Sequence, residues 1–150
     1  MKKISVAVDF SDVMPYVLDE VVKIAAPVQA KIYLIHVIET TPAYGMYGFS
    51  PEEIPMVGPS SKELKDAARA KLTAQADLLR GQGITVEEVV LEGNPLDEVL
   101  LYVKENDINM LVVGSHGRGI LTSMFLGSVA DGAIRRAKVP VLVVPYMKKA

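Results

Sequence analysis

Short apolar runs alternate along the chain with longer stretches whose apolar positions recur at helical spacing. Ile4 to Val8 is β-branched and bounded by Asp9, which predicts a first strand. In the next stretch Val13, Val17, Val21, Ile24 and Ala25 fall near one helical face. This predicts a helix over Val13 to Ala26, with Ser11 or Asp12 available to cap it. Lys31 to Val37 reads as a second strand. From Glu39 to about Ser60 the pattern dissolves into Pro42, Gly45, Gly48, Pro51, Pro55, Gly58 and Pro59, a loop long enough to suggest function or mobility.

Periodicity returns at Ser61 to Leu79, an Ala-, Lys- and Leu-rich helix stopped by Gly81 and Gly83. Ile84 to Leu91 is the third strand. Gly93-Asn94-Pro95 is a turn into a helix ending near Glu105, with Asn94 as N-cap and Pro95 at the first helical position. Ile108 to Val113 is an almost continuous apolar run and predicts strand four. Ser128 to Ala137 is the last helix and Val139 to Val144 the fifth strand. Strands regularly separated by helices predict an α/β domain: a mostly parallel sheet, helices on both faces, crossovers right-handed.

Composition narrows the chemistry. At 150 residues the chain suggests one domain spanning 1–150, and half of it is hydrophobic, enough for a sizeable core. A net charge of -2 gives no general attraction to nucleic acid or to an anionic membrane. An anionic ligand must therefore be held by local groups. No cysteine is present, which removes disulfides, thiolate metal sites and thiol nucleophiles and fits a reducing, cytoplasmic compartment. The apolar run after Lys2 and Lys3 is too short for a secretory leader. No segment approaches the roughly 18 apolar residues of a membrane span.

In a doubly wound sheet, ligands bind beyond the carboxyl ends of the strands, where the strand order reverses. That rule selects Asp9 to Asp12, Val37 to Thr40, and Gly114 to Ser128. Gly114-Ser115-His116-Gly117-Arg118-Gly119 directly follows a buried-type strand, and its backbone amides can form an anion-binding nest. Gly127-Ser128 then opens a helix whose first-turn amides and dipole favour phosphate. A plain flexible loop with an ordinary cap is the alternative. The stretch is no Walker A loop, since it contains no lysine, and no dinucleotide fingerprint, which would follow the first strand. His36 and His116 are the only histidines, and no ligand-spaced cluster accompanies them. Arg118 either neutralises phosphate or points to solvent. Lys62, Glu63, Lys65, Asp66, Arg69 and Lys71 read as a solvated helix face. Tyr44, Met46, Tyr47, Phe49 and Met56 give the long loop the composition of a partner or ligand cover.

The spacing Gly114, two residues, Gly117, nine residues, Gly127-Ser128 resembles the nucleotide-binding motif of the universal stress protein family. Val6 to Ser11, Leu34 to Val37, Gly93-Asn94-Pro95 and Ala130 to Val144 resemble its other landmarks, so the likeness covers nearly the whole chain. The resemblance implies a five-stranded sheet of order 3-2-1-4-5, the adenine nucleotide alpha hydrolase-like fold. It also implies membership of the ATP-binding branch. Asp9, with Phe10 and Ser11, would meet the ribose side, and Val37 the adenine. Gly114, Ser115, His116, Gly117, Arg118, Gly119, Gly127, Ser128 and Val129 would surround ribose and phosphates, with Mg or Mn on the latter. Homodimerisation through strand 139–144 and a role in stress response are further implications. The apolar edge strand Val139 to Val144 independently calls for a partner or cover. Two alternatives stay open: a slow ATP hydrolase, for which no general base is visible, and an interaction protein with an empty loop.

Overall fold

A computed structural model of the chain describes residues 1–40, 61–116 and 126–146. Five strands, β1 (Lys3–Ala7), β2 (Lys31–Glu39), β3 (Thr85–Gly93), β4 (Met110–Gly114) and β5 (Val141–Val144), form one sheet. Its order is β3-β2-β1-β4-β5 and every pairing is parallel. Among the described residues four α-helices accompany them: α1 (Met14–Ala25), α2 (Ser61–Arg80), α3 (Pro95–Glu105) and α4 (Ser128–Arg136). A 3-10 turn at Ala26–Val28 follows α1.

The two faces of the sheet carry separate cores. One unites Val6, Ile32 and Leu34 with Val17 and Val21 of α1 and Leu72, Ala76 and Leu79 of α2. The other joins Ile35, Leu111 and Val113 to Val99 and Val103 of α3 and Ala130 and Ala133 of α4. β1 and β4 are therefore buried on both sides, which is why they read as continuous apolar runs. β3 lies at an edge and alternates exposed and half-buried residues near its start. Each fully buried aliphatic side chain contributes roughly 1.5–3 kcal/mol, so the three interior strands and their flanking helices dominate stability.

Local chemistry sets most boundaries as the sequence predicts. Asn94 accepts a 3.1 Å bond from the Asp97 amide and caps α3, with Pro95 at the first helical position. Gly93 takes a φ of +137°, a backbone shape that favours glycine. After α2, Gly83 adopts φ +81° and the Ile84 amide returns to the Leu79 carbonyl.

Two expectations are corrected. Neither Ser11 nor Asp12 caps α1: Val13 holds the N-cap position and no side chain bonds the terminus. The reason is the preceding turn, where the Asp9 carboxylate accepts from the Ser11 amide at 3.0 Å and occupies the segment in an Asx turn. Strand four begins at Met110 rather than Ile108. Ile108 is instead bonded to the Val103 carbonyl, and Asp107 before it has φ +51°, so these residues end α3 and turn the chain. β5 starts at Val141, after Pro140 has given its carbonyl to the Leu111 amide. The expected loop of about 39–60 lies outside the described residues beyond Thr40.

Candidate nucleotide site

Strand order reverses on either side of β1, whose neighbours are β2 and β4. Beyond their carboxyl ends lies a cavity of about 650 Å³, within the range of small-molecule sites. β1 and its turn contribute Val8, Asp9 and Phe10; β2 contributes His36, Val37 and Glu39; β4 contributes Val113, Gly114 and the following His116. The opposite walls are Leu64, Ala67, Ala68 and Lys71 of α2, Pro95 and Val99 of α3, and Leu126 to Ala130.

The β1 turn is conformationally strained. Phe10 has φ +58°, a left-handed shape unusual for a bulky residue. Its ring rests on the His36 imidazole with centroids 4.4 Å apart. His36 Nδ1 lies 2.7 Å from the Val8 carbonyl. A carbonyl only accepts, so Nδ1 donates and carries the proton. His36 is thereby fastened to the backbone of β1 while still lining the cavity.

Gly114 is required by closeness rather than by backbone freedom. A Cβ there would stand 3.0 Å from Val13 Cγ1 and 3.4 Å from Val17 Cγ2 of α1. Ser115 is buried and does not line the cavity. Its amide donates to the Val144 carbonyl at 2.8 Å and its carbonyl accepts from the Gly127 amide at 2.7 Å. Its hydroxyl accepts from the Tyr146 amide at 3.0 Å and shares a 2.8 Å bond with His116 Nδ1. One serine thus ties the end of β5 to the entry of α4 and orients the cavity-lining His116.

Gly127, not Ser128, is the N-cap residue of α4, with φ -60° and ψ 157°, and no side chain caps this terminus. Ser128, Val129 and Ala130 occupy the first turn and line the cavity. First-turn amides of a helix lack intrahelical acceptors and, with the dipole, favour an anion.

Of the residues singled out by sequence, Asp9, Phe10, Val37, Gly114, His116, Gly127, Ser128 and Val129 come together on one cavity. Ser11 and Ser115 stand behind it as turn and tether. Gly117, Arg118 and Gly119 lie outside the described residues. Sequence reasoning missed the α2 wall. Leu64, Ala67, Ala68 and Lys71 are spaced by three, one and three positions, a helical stripe of which only Lys71 belongs to the charged face named from the sequence. Lys71 Nζ stands 5.6 Å from the centroid of the Phe10 ring. Among the described residues no group of three or more His, Asp or Glu could hold a metal ion.

The universal stress protein family model matches residues 1–145. The chain belongs to the universal stress protein family. Universal stress protein MJ0531 of Methanocaldococcus jannaschii is 30% identical over 148 residues, covering 99% of this chain and 84% of that protein. Among solved structures, MJ0577 superposes with a TM-score of 0.81 at 26% identity, covering 99% of this chain and 98% of that one. A universal stress protein in complex with cAMP superposes with a TM-score of 0.69 at 25% identity, with 96% of each chain covered. The fold is that of the adenine nucleotide alpha hydrolase-like proteins, as the resemblance implies. No described helix is long and apolar enough to cross a membrane.

Proposed function

We propose that this universal stress protein binds an adenine nucleotide in the switch-point cavity and acts in the cytoplasm as a homodimeric regulatory or protective protein of the stress response. The observation that carries the reading is the meeting of Asp9 and Val37 with the uncapped first turn of α4 in one cavity. Asp9 supplies a carboxylate for ribose hydroxyls, Val37 an apolar wall for adenine, and the amides of Ser128 to Ala130 the phosphate cradle. The cAMP complex of a relative supports this ligand class. In this reading Gly117, Arg118 and Gly119 complete the phosphate loop.

The described side chains offer no resident metal cluster. In this reading a Mg or Mn ion accompanies the phosphates of the bound ATP. β5 is the edge strand beside β4, and its apolar Val141–Val144 suits pairing with a second copy.

Gly127→Val tests the site. The backbone of Gly127 is in the extended region that valine adopts readily, so the substitution fills ligand space without straining the chain. Calorimetry with ATP, ADP and AMP is expected to show micromolar to millimolar binding for the parent and a loss of about tenfold or more for the variant. An unchanged circular dichroism spectrum confirms the fold. Equal affinities for both proteins would refute the placement, and no binding of any of the three to the parent would refute the function.

A further inference from the structure

Lys71 is a cation on the wall of the cavity with an aromatic ring, rather than a carboxylate, beneath it. The contrast with its neighbours is informative. On the same helix Lys65 pairs with Glu92 at 3.3 Å, and Arg80 with Asp77 at 3.0 Å and Glu88 at 2.9 Å. For Lys71 the recorded contact among the described residues is the Phe10 ring, 5.6 Å from Nζ to centroid. A ring face offers an exposed ammonium only a weak contact. A nucleotide phosphate, with more than one negative charge and several acceptor oxygens, offers a stronger one. The ammonium is therefore held loosely in a place where a stronger anionic partner would draw it away. Four flexible carbons allow the move without shifting the helix. Among the described lining residues Asp9 and Glu39 are carboxylates and Lys71 is the cation.

We propose that Lys71 is a ligand-binding residue of this cavity, whose ammonium leaves the Phe10 ring to pair with the phosphate of the bound nucleotide. The inference rests on the nucleotide reading above and adds to it a charge-reading contact on the wall opposite α4. It makes the site favour phosphorylated ligands over the bare nucleoside through α2 as well as through the helix terminus. Phe10 gains a role as well: its left-handed backbone sets the ring where it parks the cation when no ligand is present.

The test is a titration followed by NMR on the folded full chain, with ATP and with adenosine as probes. The ring current of Phe10 shifts the Lys71 ε-methylene protons upfield in the free protein. ATP is expected to return them toward the ordinary lysine position as the amides of Ser128 to Ala130 move; adenosine is expected to leave them in place. In parallel, Lys71→Met keeps an apolar chain on the ring and removes the charge. It is expected to weaken ATP about tenfold while leaving adenosine unchanged, and Lys71→Arg to restore most of the loss. Moving amides with an unmoved Lys71 would overturn this inference alone, as would an equal loss for ATP and adenosine in Lys71→Met. Amides that do not respond to ATP at all would overturn the nucleotide reading, and this inference with it.

Discussion

Gly132 sits in the middle of α4, where the helix packs against Leu96 of α3. A Cβ at this position would stand 2.2 Å from Leu96 Cδ2, 3.2 Å from Leu96 Cδ1 and 3.3 Å from Leu96 Cγ. Apolar carbons pack best at about 3.5–4.0 Å, so the tip of Leu96 must withdraw by about 1.3 Å or α4 must lift from α3. Leu96 is half-buried and packs against the cluster formed with Val99, Ala130 and Ala133, which limits its retreat. Overpacking of this kind costs about 1–3 kcal/mol. Alanine returns about 1 kcal/mol through helix propensity. Gly132→Ala is therefore expected to destabilise by about 1 kcal/mol, lowering Tm by about 2–4 °C for a chain of this size. The sign is predicted to reverse once Leu96 is shortened. In a Leu96→Ala background the clash is gone and Gly132→Ala is expected to stabilise by about 1 kcal/mol. Urea unfolding of the four proteins, followed by circular dichroism, measures this coupling. A gain in stability from Gly132→Ala with Leu96 intact, or the same change in both backgrounds, would refute the reasoning.

Two further expectations concern the tether and the alkaline limit. Ser115→Ala removes the hydroxyl that accepts from the Tyr146 amide and holds His116 Nδ1; a loss of about 1–3 kcal/mol in urea midpoints is expected, with a changed His116 ring resonance by NMR, and a silent substitution would contradict the tether. Burial raises the Tyr102 phenol above its ordinary value, with help from Glu87 and Tyr33 against the opposing Lys31. A raised pKa in the folded state means that folding favours the protonated phenol. Its stabilising contribution is complete below about pH 10 and is lost as the pH climbs through the folded value. Tyr102→Phe is expected to flatten that alkaline loss, and an identical pH–stability curve for the variant would count against it.

Most of the architecture was legible because period and punctuation agree. The β-branched runs at Ile4 and Ile32, the Gly93-Asn94-Pro95 turn and the Gly81 to Gly83 stop each predict what the backbone does there. The misplaced details are those in which one side chain had two uses. Ser11 and Asp12 are of capping type and stand just before α1, but the chain there is taken up by the turn in which the Asp9 carboxylate accepts from the Ser11 amide. Lys71 is exposed with the rest of the charged face of α2, as its charge predicts, and it also lines the cavity beside Leu64, Ala67 and Ala68, which spacing alone reveals. Charge is the more conspicuous signal in a sequence, but spacing determines which wall a residue joins. Ser115 looked like a loop residue beside the phosphates, whereas burial turns it into a connection between strands.

The glycines of the site show why residue type alone does not reveal the physical need behind it. Glycine after a strand suggests a chain that must take a positive φ. At Gly114 the demand comes instead from the methyl groups of Val13 and Val17, which would have to give way by a few tenths of an ångström to admit a Cβ. At Gly127 the backbone lies in a region open to every residue, and the glycine lines the cavity beside the first turn of α4. The positive φ appears at Phe10, where sequence reading would not place it. A left-handed bulky residue costs about 1–3 kcal/mol unless its surroundings hold it, and here the His36 ring and its bond to the Val8 carbonyl do so. That strain lies at the turn facing the cavity rather than in the core. The three interior strands, buried on both faces, supply the stability against which it is maintained.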